Sequence, residues 1–337
     1  MKVQLLIYND SYRKLFRQTP NNDGVWGGVR FLLSENNEAD FVICIDRIAD
    51  DFDIYAPKEN IWLINLESPV EEYDWLRKGY KYFSKIFCTD PRLINHPKII
   101  KTNVPVPWFV GKSYDELKEI KEIHKTKNIS WITSSYRGRK GHKERMNFYK
   151  ILTKTLQFDI FGRGFYEIDD KWDAIAPYKY TIAIENHKGK YYWTEKLQDV
   201  FLGMAMPIYY GCTEITKYFP KESMILIDIK RPRKAIRIIE KAIQDNLYER
   251  NLDAIKYARN LVLDKYQFFP QVTEWIYKYG NFNAEKDFIQ LKQLTNLYPY
   301  ERKKYIDLHR MYFLLKKYIF YKQYHNPDSK RFGQVTY

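Results

Sequence analysis

Short runs of apolar residues recur along most of the chain and predict β-strands. They lie at residues 3–8, 41–45, 61–66, 86–89, 129–133, 158–161, 180–184, 207–210 and 224–229. Several are continuously apolar, which is typical of strands buried on both faces of a parallel sheet. Helix-compatible stretches lie between them at residues 139–155, 195–203 and 234–244. This alternation predicts an α/β protein.

A charged stretch at residues 112–127 separates two groups of predicted strands and is typical of an exposed helix or linker. We therefore expect two Rossmann-like halves with a cleft between them. The predicted N-terminal domain covers residues 1–125, and the C-terminal domain covers residues 126–275. In the first half, Trp26-Gly-Gly28 is interpreted as a turn, with a part in seating a ligand as the alternative.

The last segment, residues 276–337, is predicted to be a helical tail rich in basic and aromatic residues. Its basic residues fall on one side of a helical wheel and its apolar residues on the other: Lys303, Arg310 and Lys317 against Leu308, Met311, Tyr312, Leu315 and Ile319. Two interpretations stay open, a helix lying in a membrane interface and a helix packing its apolar face on the body. The frequent charges exclude a transmembrane span.

The composition and the net charge limit the classes of partner that the protein is expected to bind. The chain has 337 residues, long enough for two domains, and a formal net charge of +14. Such a charge favours polyanionic partners: nucleic acid, an anionic membrane surface or a diphosphate-bearing substrate. The three cysteines have no metal-ligand spacing and are interpreted as reduced core thiols. The first residues show no signal peptide, so we expect a cytoplasmic protein.

The most informative polar residues follow the strand that begins near Tyr178. Glu185 and Asn186 end this strand, so they should emerge at the carboxyl edge of the sheet, where α/β folds bind ligands. Downstream, Thr194 is a candidate N-cap of a helix whose first turn carries Glu195 and Lys196. A helix N-terminus with a lysine suits a diphosphate, and a carboxylate suits sugar hydroxyls. On spacing alone, an ordinary surface Glu-Lys pair explains the same residues.

Six short motifs stand in order between residues 178 and 220: Tyr178-Lys-Tyr180, Glu185-Asn186, Tyr192-Trp-Thr-Glu-Lys196, Pro207-Ile208, Gly211 and Phe219-Pro220. Their order and spacing are similar to the donor-binding signature of the α-1,3-fucosyltransferases, glycosyltransferase family 10, of the bacterial type. A helix led by Arg145 and the segment Phe158-Asp-Ile-Phe-Gly-Arg163 also resemble this family. In the first half, the strand end Glu67-Ser-Pro69 resembles its Glu-Ser-Pro motif.

The resemblance implies a GT-B-type fold, two Rossmann-like domains facing across a cleft. It implies that the C-terminal half binds a GDP-sugar through a set of residues carried by these motifs: Arg145, Glu185, Asn186, Tyr192, Thr194, Glu195 and Lys196. It also implies that Glu67 is the catalytic base, whereas the residues alone favour the interpretation that Glu67 only caps the turn before Pro69. No metal or other cofactor is then obligatory. The Asp51-Phe-Asp53 pair fits an Asp-x-Asp metal motif, but such a pair is expected by chance in a chain with 42 acidic residues. His96 has no partner at metal-ligand spacing, and neither feature is interpreted as a metal site.

The expected function is an inverting transfer of L-fucose from GDP-fucose onto a hydroxyl of an acceptor glycan. Lipopolysaccharide, another surface glycan or a glycosylated protein would supply the acceptor. The alternatives are the same chemistry with another GDP-sugar, an inactive relative that only binds glycans, and a basic nucleic-acid-binding protein. No nucleic-acid-binding motif is found, so nucleic acid is not an expected partner. The tail adds the hypothesis of peripheral attachment to the inner face of the cell membrane.

Overall fold

A computed structural model describes residues 1–7, 14–34, 37–93 and 96–294. Met1–Leu294 form one compact unit. The basic and apolar faces predicted for the tail, from Lys303 to Ile319, lie outside the described residues and stay a prediction. Within the described ranges, no helix combines the length and the apolar content needed to cross a bilayer.

The described residues alternate between strands and helices. The strands are β1 (Lys2–Leu6), β2 (Val25–Trp26), β3 (Val29–Leu32), β4 (Phe41–Ile45), β5 (Phe52–Ala56), β6 (Ile61–Ile64), β7 (Lys85–Cys88), β8 (Ile99–Lys101), β9 (Lys127–Ile132), β10 (Asp159–Phe161), β11 (Tyr178–Ile184), β12 (Met206–Tyr210), β13 (Ile225–Leu226) and β14 (Asp287–Leu291). The α-helices are α1 (Tyr114–Glu119), α2 (Lys140–Leu152), α3 (Glu195–Leu202), α4 (Pro232–Gln244), α5 (Leu247–Arg250), α6 (Leu252–Leu261) and α7 (Phe268–Tyr279), and a 3₁₀ helix spans Glu71–Tyr82. Every strand and helix predicted before residue 245 is present, with ends shifted by a few residues.

The first half is built on a sheet of order β2-β3-β1-β4-β6-β7-β8. All neighbouring pairs are parallel except β2 and β3, which form an antiparallel hairpin. The turn of this hairpin is the predicted one: Gly27 and Gly28 have φ of 54° and 81°, which only glycine adopts at low cost. Central strand β4 is buried along its whole length because both faces of the sheet are covered.

The second half is a parallel sheet of order β10-β9-β11-β12-β13. Helices α2, α3 and α4 supply buried side chains to the same core as this sheet. Both halves are therefore α/β layers with parallel sheets, and the predicted α/β class with two Rossmann-like halves is confirmed. The three cysteines are buried and unbridged, as expected.

The end of the described chain returns to the first half. Helix α7 packs on the first sheet, where Trp275 stacks on Phe87 with ring centroids 4.1 Å apart. Strand β14 pairs antiparallel with β5. Of the tail predicted to be helical from residue 276, the described part therefore contains the end of α7 and a strand. The domain boundaries after residues 125 and 275 stay predictions.

Candidate functional site

The strand order of the second sheet creates a crevice at one edge. The chain moves outward in opposite directions from β9 and β11, so these neighbouring strands form a topological switch point. A cleft of about 260 Å³ lies at their carboxyl ends. Its walls include residues 132–134 at the end of β9, Asn186 after β11, and residues from the first turns of α2 and α3. The fold therefore places the motif residues of α2 and α3 around one ligand-sized space.

Helix α2 approaches the end of β11 closely because residue 141 is a glycine. A Cβ atom at Gly141 would overlap the backbone carbonyl oxygen of Asn186. This approach brings Arg145, one turn further along α2, to the same edge. Nη1 of Arg145 donates a hydrogen bond to Oδ1 of Asn186 at 2.8 Å. Two predicted donor-site residues are thus joined directly.

Arg145 is a buried cation with unused hydrogen-bonding capacity. Burial lowers its pKa to about 10, against the opposing effect of Glu185 and Glu195, so the guanidinium is charged at neutral pH. Among the described residues, its Nε has no hydrogen-bond partner, nor have Nδ1 of His142 and Oγ1 of Thr133. All three side chains line the cleft. Because buried polar groups are normally satisfied, these atoms point to a polar ligand in this space.

Helix α3 begins at the cleft, and its predicted N-cap is confirmed. Oγ1 of Thr194 accepts a hydrogen bond from the backbone N–H of Lys196. Glu185 fixes the position of this cap. Its carboxylate accepts hydrogen bonds from the backbone N–H of Thr194 at 2.7 Å and from the Thr194 hydroxyl at 2.8 Å. The helix start that faces the ligand space is therefore fixed by a side chain of the neighbouring strand.

Glu185 itself is completely buried and is not among the residues that line the cleft. Burial raises its pKa to about 7, although Lys196 and Thr194 act in the opposite direction. The structure thus places Glu185 behind the cap of α3. Its predicted direct contact with the donor stays a prediction.

Glu195 and Lys196 both line the cleft and form an ion pair of 2.9 Å. Burial opposes ionisation of Glu195, but Lys196 and Lys171 outweigh it and lower the pKa of the carboxyl to about 2. Burial likewise opposes the charge on Lys196, and Glu195 and Glu185 raise its pKa. Both side chains are therefore charged at neutral pH. The carboxylate can accept hydrogen bonds from hydroxyl groups, and the ammonium can donate to phosphate oxygens.

Tyr192 is not among the residues that line this cleft. It is 5% exposed, and its ring meets that of His187 edge-on. Burial raises its pKa, with further contributions from Glu185, Glu195 and the first-half residue Glu67. Tyr192 is therefore close to carboxylates of both halves, but the structure does not place it on the wall of the donor cleft.

Several cleft residues were not predicted from the sequence, among them His142, Lys171 and Asp199. His142 precedes Arg145 by three residues on α2, and burial together with the nearby Arg145 lowers its pKa to about 4, so its ring is neutral at pH 7. Lys171 pairs with Asp199 at 2.7 Å. The helical spacing from Arg145 to His142 and from Glu195 to Asp199 was a usable signal. Lys171 lies in a short 3₁₀ turn, and no pattern in the sequence pointed to it.

Glu67 lies where the strand end predicted it, at the carboxyl edge of the first sheet just after β6. It is half-buried and lines a second, small cleft with residues of the 3₁₀ helix and of the loop after β7. Asp46, after β4, holds this loop because its carboxylate accepts from the backbone N–H of Leu66 at 2.6 Å and from that of Glu67. Burial, followed by repulsion from Glu67, raises the pKa of Asp46 to about 7.

The discounted metal motif has other partners. Asp51 accepts from Nζ of Lys292 at 3.1 Å and from the backbone N–H of Gln293 at 2.8 Å. In the part of the chain that the structure describes, no three His, Cys, Asp or Glu side chains are arranged to hold a metal ion.

Comparison with known proteins agrees with this geometry. Residues 123–250, which contain the second sheet, α2 and α3, match the family model described as glycosyltransferase family 10 (fucosyltransferase) C-term. These residues are therefore similar to the C-terminal domain of the family 10 fucosyltransferases. Among curated relatives, the human 4-galactosyl-N-acetylglucosaminide 3-alpha-L-fucosyltransferase 9 is 27% identical over 194 residues, covering 55% of this chain and 50% of that protein. The chain thus spans about half the length of the curated relatives it matches first.

A bacterial protein and a solved structure are also similar to this chain. The alpha-(1,3)-fucosyltransferase FucT of Helicobacter pylori is 31% identical over 121 residues, covering 32% of this chain and 25% of that protein. A solved alpha1,3-fucosyltransferase with GDP-fucose is 14% identical and covers 80% of this chain and 91% of its own, with a TM-score of 0.45. The match of residues 123–250 to the family model confirms the resemblance inferred from the motifs of the second half.

Proposed function

We propose that the protein is an inverting glycosyltransferase that moves a sugar from GDP onto a hydroxyl of an acceptor glycan, with L-fucose as the first sugar to test. The observation that carries this proposal is the cleft at the switch point. There, polar atoms of Arg145, His142 and Thr133 that have no hydrogen-bond partner in the described part of the chain lie beside the capped start of α3. A diphosphate and a sugar offer the oxygens that such a set of donors requires.

In this proposal the second half binds the donor. Arg145 and Lys196 contact the diphosphate, and Glu195 accepts hydrogen bonds from ribose or sugar hydroxyls. Asn186 fixes the guanidinium of Arg145 through the 2.8 Å hydrogen bond. Thr194 and Glu185 keep the start of α3 in place. The named relatives act as fucosyltransferases, and one solved neighbour holds GDP-fucose, which makes this donor the first candidate.

The first half supplies the base. Glu67 takes the proton of an acceptor hydroxyl while that oxygen forms a bond to the anomeric carbon. The bond from this carbon to the diphosphate oxygen breaks on the opposite face, and GDP departs with the electron pair. One displacement inverts the anomeric centre. Arg145 and Lys196 stabilise the charge that develops on the leaving diphosphate, which is the effect expected of fixed cations in a closed site.

The acceptor is proposed from the relatives. The human relative is named for a 4-galactosyl-N-acetylglucosaminide acceptor. We therefore infer a galactosyl-N-acetylglucosamine unit as the first acceptor to test, carried by lipopolysaccharide or another surface glycan.

The test is binding and turnover with a panel of GDP-sugars, for wild type, Glu67→Gln, Lys196→Ala and the exposed control Lys217→Ala. We expect Lys196→Ala to weaken GDP binding at least tenfold, because a charge-assisted hydrogen bond is lost. Glu67→Gln should keep GDP binding and lose at least a hundredfold in kcat. Wild-type protein that binds no GDP-sugar would refute the donor assignment.

The location is proposed as cytoplasmic, with peripheral attachment at the inner face of the membrane through the tail. The supporting observation is the pattern of basic residues from Lys303 to Lys317 opposite apolar residues. Flotation of anionic vesicles with full-length protein and with a variant ending before Lys303 tests it. Equal flotation of the two proteins would remove the proposal.

A further inference from the structure

Tyr73 is the side chain that links the proposed base to the other half of the molecule. It lies in the 3₁₀ helix Glu71–Tyr82 and lines the same small cleft as Glu67. Its hydroxyl is hydrogen-bonded to the carboxylate of Glu67. Burial, followed by the charge of Glu67, raises the pKa of Tyr73, so the phenol keeps its proton and is the donor in this hydrogen bond.

The partner on the other side of Tyr73 is Arg139, the residue that precedes α2 in the second half. Nη1 of Arg139 donates to the hydroxyl oxygen of Tyr73 at 2.5 Å, and the guanidinium carbon lies 4.8 Å from the centre of the Tyr73 ring. The hydroxyl therefore accepts from a cation and donates to an anion. Such a chain is directional, because each hydrogen bond polarises the next one.

Helix α2 connects this chain of hydrogen bonds to the donor cleft. Its start carries Arg139, and its second turn carries Arg145, which contacts Asn186 in the donor cleft. The orientation of Glu67 is therefore tied to the same rigid element that would contact the donor diphosphate.

We propose that Tyr73 is a positioning residue: it orients the Glu67 carboxylate toward the acceptor and, through Arg139, couples that orientation to the placement of α2 against the first half. This inference rests on the proposed function, since it assigns the base to Glu67.

Several charged or titratable groups surround Glu67, and together they determine the pKa of its carboxyl group. From the first half these are Asp46, Arg47, Tyr73, Asp74, Arg77, Asp90 and Arg92, and from the second half Arg139 and Tyr192. Among the first-half charges, Arg77 and Arg92 pair with Asp74 and Asp90. The hydrogen bond from Tyr73 stabilises the ionised form of Glu67. Its removal should raise the pKa of the base and move the acid limb of the kcat/KM profile to higher pH.

The experiment compares wild type, Tyr73→Phe and the control Tyr82→Phe, which changes a tyrosine of the same 3₁₀ helix outside the cleft. GDP-fucose and a galactosyl-N-acetylglucosamine acceptor are the probes, with hydrolysis of GDP-fucose as an acceptor-independent readout. We expect Tyr73→Phe to lower kcat about tenfold and to leave the KM for GDP-fucose within twofold. The acid limb should rise by about half a pH unit or more, and Tyr82→Phe should match wild type.

A second set of variants tests the link to α2. Arg139→Gln should shift kcat and the acid limb in the same direction, with the exposed neighbour Arg137→Gln as the control, and Arg139→Lys should restore part of the loss. The double variant Tyr73→Phe, Arg139→Gln should be no slower than the worse single variant, because both changes break one chain.

The outcomes separate this inference from the proposed function. If wild type turns over GDP-fucose and Tyr73→Phe has the same kcat and pH profile as wild type, the role of Tyr73 is wrong. The proposed function is then unaffected. Fully additive losses in the double variant overturn the link through Arg139. Wild type without turnover of any GDP-sugar overturns the proposed function, and this inference with it.

Discussion

Arg145 has the charge and the unused donors that an anionic ligand needs. Its Nη1 is bound to a neutral amide oxygen, and among the described residues its Nε has no partner. Lysine at this position would keep the positive charge but lose the planar set of donors. We therefore expect Arg145→Lys to weaken GDP binding by about tenfold to a hundredfold in calorimetric titrations. Lys143→Gln, which changes an exposed residue of the same helix, is the control, and equal affinities in both variants would contradict the assignment.

Asp46 gives a pH-dependent prediction. Its pKa is raised to about 7 in the folded protein by burial and by Glu67, from an ordinary value of about 3.8. Between these values the folded state binds more protons than the unfolded state. Its share of the free energy of unfolding is therefore present at low pH and is lost as pH rises toward 7, by up to about 1.4 kcal/mol per pH unit.

Asp46→Asn should remove this loss, because asparagine cannot ionise and its side-chain oxygen can still accept from Leu66. In urea unfolding, the variant should equal wild type near pH 4 and be more stable at pH 8. The exposed Asp53→Asn serves as the control. A variant whose stability falls with pH as steeply as that of wild type would show that Asp46 ionises normally.

At the scale of elements, the start of α3 depends on one hydroxyl. Thr194 caps the helix and also satisfies the buried carboxylate of Glu185. Thr194→Val keeps the shape but removes the hydroxyl, so we expect a loss of about 2 kcal/mol in the free energy of unfolding and weaker GDP binding. Thr194→Ser keeps the hydroxyl and should stay near wild type in both measurements. A valine variant as stable as the serine variant would argue against the cap.

The elements that the sequence predicts well are those whose pattern has one structural solution. The apolar runs at β4 and β11 predict buried strands of a parallel sheet, and both are found. Strand β14 was not predicted, because four of its five residues are at least partly exposed and its register depends on pairing with distant β5. In the site, motif spacing located Arg145 and Lys196, whereas the supporting place of Glu185 depends on burial behind a helix cap.

At the scale of the whole molecule, α7 joins the end of the described chain to its beginning. The helix follows the second half in sequence, but its buried residues belong to the core of the first sheet. The stack of Trp275 on Phe87, with an interplanar angle of 5°, is the centre of this contact. The first sheet therefore depends on a segment more than 150 residues further along the chain.

Trp275→Ala measures how much stability this return of the chain provides. The change removes a buried aromatic side chain and leaves a cavity, so we expect a loss of about 3 kcal/mol in the free energy of unfolding measured with urea. Trp275 lines neither cleft, so the folded variant should bind GDP within twofold of wild type. Glu274→Ala, a change at the exposed preceding position, should cost at most about 0.5 kcal/mol. Equal stabilities of the two variants would mean that the first sheet does not depend on α7, and its core would then have to be stabilised by residues before 268 alone.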